Sequence, residues 1–179
     1  MGNIEIDKFK EECGVFGIYS KSGLDVAAVS YYGLYALQHR GQESAGIVVS
    51  DGKSLMCHKN MGLVADVFNE KTLKNMKGKA AIGHVRYSTT GESKVENAQP
   101  LLSKFKLGSI AIAHNGNLIN ADVIRELLED AGVLFQTSID SEVILNLIAR
   151  KAKKGLEQAI VDTVQAIKGS YAMVMITEE

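Results

Sequence analysis

A chain of 179 residues, 46% apolar and 23% charged, has enough apolar surface for one compact core and too little length for two ordinary domains, which excludes a disordered or fibrous protein. Its formal net charge of −1, with Lys and Arg scattered apart from Lys151, Lys153 and Lys154, excludes the basic footprint of a nucleic-acid-binding protein. No apolar run approaches the roughly 20 residues that span a bilayer, and Met1 to Glu12 lacks the apolar stretch of a signal peptide, so no membrane partner is expected and the cytoplasm is the expected compartment.

In chain order, CGVFGIYS (13–20) is apolar and punctuated by glycine, which reads as a buried strand starting at the cysteine. From Asp25 the run DVAAVSYYGLYALQHR carries an apolar stripe at helical spacing and stops near Gly41. Four strand-like stretches follow, at 44–50, 54–60, 80–88 and 109–117, the first two joined at Asp51-Gly52, and the expectation is that these four form one sheet. The polar stretch 91–104, holding the single proline Pro100, reads as a loop long enough to act as a lid. Helices are predicted over 121–131, 141–153 and 156–167, and a last strand over 170–177. Strands, then a block of helices, then a strand is not the alternation of a doubly wound parallel sheet, and points to a layered α+β fold.

Several residues could carry chemistry, each with a plainer alternative. Cys13 follows a polar leader directly, and reads either as a small buried hydrophobe or as a nucleophile. As a nucleophile it needs a base, and its own α-amino group would serve if cleavage after Glu12 made it the first residue. In GHVRYSTTG (83–91), Arg86 offers a planar fork for a carboxylate and Thr89 and Thr90 offer hydroxyls, but Arg86 could equally be a surface charge at a strand end. In AHNGN (113–117), Asn115 and the Gly116 N–H could form an oxyanion hole, or simply a turn. Asp140 could hold an ammonium group or cap the helix that follows. Cys57 and His58 are adjacent, without the spaced pairs of a zinc site, so no metal is expected.

Taken together, CGVFGI, LQHRGQESAGI, GHVRYSTTG, ENAQPL, AHNGNL and IDSEVI occur in the order and spacing of class II glutamine amidotransferases, the amino-terminal nucleophile hydrolases, and the chain resembles that family over nearly its whole length. LQHRGQ, GHVRYST and HNGNL look most like its amidophosphoribosyltransferase branch. The resemblance implies a four-layer αββα sandwich of two mostly antiparallel sheets, a propeptide over 1–12 and a glutaminase domain over 13–179. It implies that Cys13 attacks the side-chain amide of glutamine, that Asn115 and Gly116 hold the oxyanion, that Arg86 clamps the α-carboxylate with Thr89 nearby, and that Asp140 takes the α-ammonium. The segment from Arg86 to about Gln99 resembles the loop that closes over glutamine, and Arg40 resembles a position near the site whose task, substrate contact or loop anchor, stays open.

No cofactor is implied for this chain; magnesium and an iron–sulfur cluster would belong to a phosphoribosyltransferase domain, the expected partner half of a full-length homo-oligomeric enzyme, of which this sequence carries no trace. Three rivals remain: the glutaminase of a sugar-phosphate aminotransferase, which favours a YRG-type stretch where this chain has His39-Arg40-Gly41; a Cys–His hydrolase pairing Cys13 with His39, His84 or His114; and an unprocessed, non-catalytic binding domain.

Overall fold

The computed structural model describes residues 13–87 and 93–178. Strand β1 (Cys13–Tyr19) leads to helix α1 (Val26–Ala36), a 3₁₀ turn (Gln38–Arg40), and strands β2 (Ser44–Ser50) and β3 (Leu55–Met61). Two short helices, α2 (Val64–Val67) and α3 (Glu70–Asn75), precede β4 (Ala80–Arg86); a second 3₁₀ turn (Val95–Asn97) then leads into β5 (Leu101–Phe105) and β6 (Gly108–Leu118). Helices α4 (Ala121–Asp130), α5 (Asp140–Lys151) and α6 (Leu156–Ala166) follow, and β7 (Gly169–Thr177) closes the fold.

The strands form two antiparallel sheets, ordered β1-β4-β2-β3 and β5-β6-β7. Three apolar clusters separate four layers. Leu34 and Val26 of α1 pack with Ala45, Ile47, Ala81 and Val85 on one face of the first sheet. Val48 and Ile82 meet Ala111, Ala113 and Ile176 between the sheets. Ile110, Ile112 and Leu118 pack against Val143, Ile144 and Ile148 of α5. The architecture is therefore the αββα sandwich, and β2 is buried at every position because both its faces are covered.

The prediction of one sheet from the four strand-like stretches is corrected: 44–50, 55–61 and 80–86 join β1, while 108–118 pairs with β5 and β7 in the other sheet. Each stretch has a strand-like composition that says nothing of its partner, and only long-range pairing assigns it to one sheet or the other. The stretch 91–104 is not all loop, since its end forms β5, an edge strand whose Leu102, Ser103 and Lys104 are exposed. Helices α2 and α3, of one or two turns, are too short for a periodicity to reveal. The predicted α1 runs only to Ala36; the remainder is the 3₁₀ turn.

Local chemistry accounts for several boundaries. Asp25 Oδ1 accepts from Ala28 N at 3.0 Å and so caps α1, and Asp51 Oδ1 accepts from Lys53 N and Ser54 N, each at 2.8 Å, to close the β2–β3 hairpin. Gly46 in β2 is a close-approach position: a Cβ there would lie 2.2 Å from Gln99 O, so only glycine lets the segment leading into β5 lie against the first sheet.

Candidate active site

Strand alternation decides where each side chain points. On β1, Val15 packs between the sheets and Gly17 faces Val174, so Cys13, in the same register, opens the strand on the inter-sheet face. On β4, Ile82 and His84 face the second sheet, and Arg86 follows in register. On β6, Ala111 and Ala113 face the first sheet, and so does Asn115, whereas His114 turns toward α5. Cys13 stands directly opposite Arg86, and Arg86 opposite Ser44, across three adjacent strands. His84 Nε2 donates to His114 O at 3.1 Å, which brings the ends of β4 and β6 together. The inter-sheet ends of β1, β4 and β6 thus gather Cys13, Arg86 and Asn115 at one end of the sandwich.

Cys13 is half-buried, and its thiol donates to Tyr87 O at 3.8 Å. Arg40 Nε donates to Cys13 O at 2.9 Å, so the 3₁₀ turn anchors the head of β1. Gln38 holds that turn in place by accepting from Val64 N at 2.6 Å and donating to Gly41 O. Cys57 contrasts with Cys13: burial pushes its thiol up, only partly offset by the Lys59 charge, and it packs at the edge of the inter-sheet core.

Arg86 is 3% exposed, which corrects the alternative of a surface charge. Its Nη1 lies 2.7 Å from Glu43 Oε1, so the guanidinium is carried into the site with a fixed countercharge. Asp140 opens α5 as its first helical residue, and Ile139 occupies the cap position, so the predicted capping role is not the one found. Asp140 instead reaches sideways, accepting from Leu118 N at 3.1 Å through Oδ2 while Oδ1 lies 3.4 Å from His114 Nδ1. Burial pushes its carboxyl up, but the His114 ring and the Leu118 and Ser141 amides outweigh this and hold it below the ordinary carboxylate range. Asp140 is therefore a carboxylate at neutral pH.

Asn115 and Gly116 lie where β6 has outrun its neighbour, because β5 pairs no further than Leu101 opposite Ile112. On that edge the His114 N–H goes to Gln99 Oε1 at 2.8 Å and the Leu118 N–H to Asp140 Oδ2. Alternation along the strand puts the Gly116 N–H on the same edge between them. Gly116 has φ 144°, and a Cβ on it would lie 2.2 Å from Ser170 O of β7, so the position requires glycine.

Thr89 lies outside the described residues, as do Met1 to Glu12 and part of the expected closing loop. Among the described residues no three of His, Cys, Asp and Glu stand close enough to hold a metal ion, and no helix is long and apolar enough to cross a membrane. Sequence reading missed Glu43 and Gln99, and named His84 only as a possible base for Cys13, whereas its Nε2 is bonded to His114 O. Glu43 and Gln99 belong to QHRGQES and ENAQPL, but their partners, Arg86 and His114, are remote along the chain, and no local pattern reports such a pair.

His84 is fully buried, and burial drives its pKa down to about 3, although its bond to the His114 carbonyl opposes the shift. The folded chain thus keeps a neutral imidazole that the unfolded chain protonates near pH ~6.5. Stability from this group is complete above that pH and falls as pH drops toward about 3, by up to about 1.4 kcal/mol per pH unit. Denaturant unfolding of His84→Gln between pH 7 and 4 is expected to show a shallower acid loss than the unsubstituted chain; equal slopes would refute it.

A buried guanidinium–carboxylate pair thus stands beside a strand-leading thiol and faces an Asn-Gly edge across an αββα sandwich. A family model described as a glutamine amidotransferase domain matches residues 84–179, and the chain belongs to that family. It is 52% identical over 166 residues to the amidophosphoribosyltransferase of Methanocaldococcus jannaschii, covering 92% of this chain and 35% of the relative. It is 49% identical over 175 residues to that of Bacillus subtilis, covering 97% and 36%. Among solved structures, one described as the allosteric regulatory enzyme of purine biosynthesis superposes with a TM-score of 0.85 at 48% identity, over 92% of this chain and 35% of that one. The glutamine phosphoribosylpyrophosphate amidotransferase of B. subtilis, complexed with ADP and GMP, gives 0.80 at 45% identity, over 93% and 35%. The chain spans about a third of the length of the curated relatives it matches.

Proposed function

We propose that the chain hydrolyses glutamine to glutamate and ammonia as the glutaminase part of an amidophosphoribosyltransferase, the ammonia serving to make 5-phosphoribosylamine from phosphoribosyl pyrophosphate in a synthase half. The observation that carries this reading is the register of Cys13 opposite Arg86, with Asn115 of the second sheet on the facing surface. Free glutamine differs from glutamine within a protein by its two terminal charges. Arg86 offers a cation for the α-carboxylate, Asp140 an anion for the α-ammonium, and Thr89 a hydroxyl to the same substrate; requiring both charges selects the free amino acid.

In the first step the Cys13 thiolate bonds to the amide carbon, and the carbonyl π electrons move to oxygen. Asn115 Nδ2 and the Gly116 N–H donate to that oxyanion. The carbon–nitrogen bond then breaks as the α-ammonium of Cys13, which took the thiol proton, passes it to the departing amide nitrogen, which leaves as ammonia. Water attacks the resulting γ-glutamyl thioester through a second oxyanion, giving glutamate and the free thiol. The α-amine can act this way only in a chain beginning at Cys13, so removal of residues 1–12 is part of the proposal. Three of the four histidine rings have a backbone partner, His39 at Ala36 O, His58 at Val67 O and His84 at His114 O, while His114 Nδ1 faces the side chains of Ser141 and Asp140; none is bonded to Cys13, which favours the amine over a Cys–His pair.

No cofactor enters this chemistry. An iron–sulfur cluster asks for four thiolates, and this chain has Cys13 and Cys57, so its residues do not fit one and we assign the cluster, like magnesium, to the synthase half. We assign the chain to the cytoplasm, where a nucleophilic thiol stays reduced, and to a homo-oligomer in its full-length form.

The test is the intact mass of the purified chain after incubation with an electrophilic glutamine analogue. A chain beginning at Cys13 with one label, absent in Cys13→Ala, is the expected result. A processed chain that releases no ammonia from glutamine and takes no label would overturn the assignment.

A further inference from the structure

The segment leading into β5 carries two buried carboxamides, Asn97 at 3% and Gln99 at 6% exposure, that reach in different directions. Gln99 Oε1 accepts from His114 N at 2.8 Å, and its Nε2 donates to His114 O at 3.2 Å. The side chain therefore pairs with β6 as a neighbouring strand would, at the point where β5 has stopped. His84 Nε2 donates to the same carbonyl. That carbonyl belongs to the rigid peptide plane joining His114 to Asn115, so these bonds set the orientation of Asn115 and of the strand edge carrying the Gly116 N–H. The backbone of Gln99 cannot drift, because Gly46 lies beneath its carbonyl and Lys59 Nζ donates to the carbonyl of Ala98.

Asn97 reaches toward the segment before α5. Its Nδ2 donates to Ser138 Oγ at 3.0 Å, and its Oδ1 accepts from Ser138 N at 3.2 Å, two residues before Asp140. The segment leading into α5 is held further by Arg125, which donates to Thr137 O at 3.1 Å and Ile139 O at 3.0 Å.

We propose that Gln99 and Asn97 are positioning residues with separate tasks: Gln99 aims the Asn115–Gly116 edge at the oxyanion, and Asn97 sets Asp140 against the substrate ammonium. The inference rests on the glutaminase reading above. The two tasks differ kinetically. An oxyanion exists only during reaction, so loosening its donors lowers kcat. The ammonium is bound before and during reaction alike, so loosening Asp140 raises KM.

The experiment measures steady-state glutamine hydrolysis by chains whose mass shows Cys13 at the amino terminus, with thermal unfolding alongside. Gln99→Met, which keeps the length but neither hydrogen bond, is expected to lose roughly 10- to 100-fold in kcat with KM within about twofold. Asn97→Leu is expected to raise KM roughly tenfold with kcat within about twofold. Should Gln99→Met not fold, Gln99→Glu, which keeps the acceptor for His114 N but loses the donor to His114 O, is to show the same kcat loss. Equal effects of both sites on kcat and KM, or a folded Gln99 variant with unchanged kcat, would overturn the proposal. An unsubstituted processed chain without glutaminase activity would instead overturn the glutaminase reading, a result distinguishable because it appears before any substitution.

Discussion

Gly116→Ala is expected to lower stability by about 2 to 4 kcal/mol and to cost roughly 10²- to 10³-fold in kcat. Two independent penalties act at the same atom. The backbone has φ 144°, a conformation L side chains rarely adopt. The added methyl would also meet Ser170 O at 2.2 Å and Tyr171 Cα at 2.6 Å, which are backbone atoms of β7 and cannot swing aside. Relief requires β6 and β7 to part at the stretch that carries Asn115. Gly52→Ala is the control: its φ is 88° and nothing lies within 4 Å of the added carbon, so it suffers the backbone penalty alone. Urea unfolding of both variants, with glutamine hydrolysis, checks the expectation. A Gly116→Ala chain no less stable than the Gly52 control and of normal kcat would contradict it.

Arg86→Leu is expected to destabilise the chain by about 3 to 5 kcal/mol, because it takes the guanidinium away from the largely covered Glu43 carboxylate. The side chains of Arg86 and Glu43 are only 4% and 12% exposed, so solvent screens the pair little. The double variant Arg86→Leu, Glu43→Leu is expected to recover much of that stability, since the uncompensated charge is gone. It is not expected to recover glutamine hydrolysis: kcat/KM should remain at least roughly 10²-fold down, because the carboxylate clamp is absent in both. A double-mutant cycle read by unfolding and kinetics separates the structural from the substrate role. Recovery of both together would show that Arg86 serves only the fold.

The candidate site residues were visible locally because they sit where strands begin or end, although singly each had a plainer reading and only the family resemblance gave them roles. Cys13 opens β1, Arg86 closes β4, and Asn115-Gly116 lies near the end of β6; each appears in the sequence as a polar or reactive group interrupting an apolar run. For Asp140 the local pattern offered a helix cap and the resemblance an ammonium partner; its side chain in fact accepts from Leu118 of a strand distant in sequence. Arg40 could not be placed from sequence, and its bond to the carbonyl of Cys13 shows it anchoring the head of β1.

What the sequence determined by itself was the set of elements long enough to repeat an apolar pattern, the layered α+β character and the reactive residues at strand ends, because periodicity and turn chemistry act over a few residues. Only the tertiary structure decided that β6 leaves the first sheet for the second, that Glu43 neutralises Arg86, and that Gln99 takes the place of a strand beside His114. Gln99 and His114 lie 15 residues apart and Glu43 and Arg86 43, and such pairing is set by which backbone edges and buried charges would otherwise stay unsatisfied, a condition that exists only once the layers have closed.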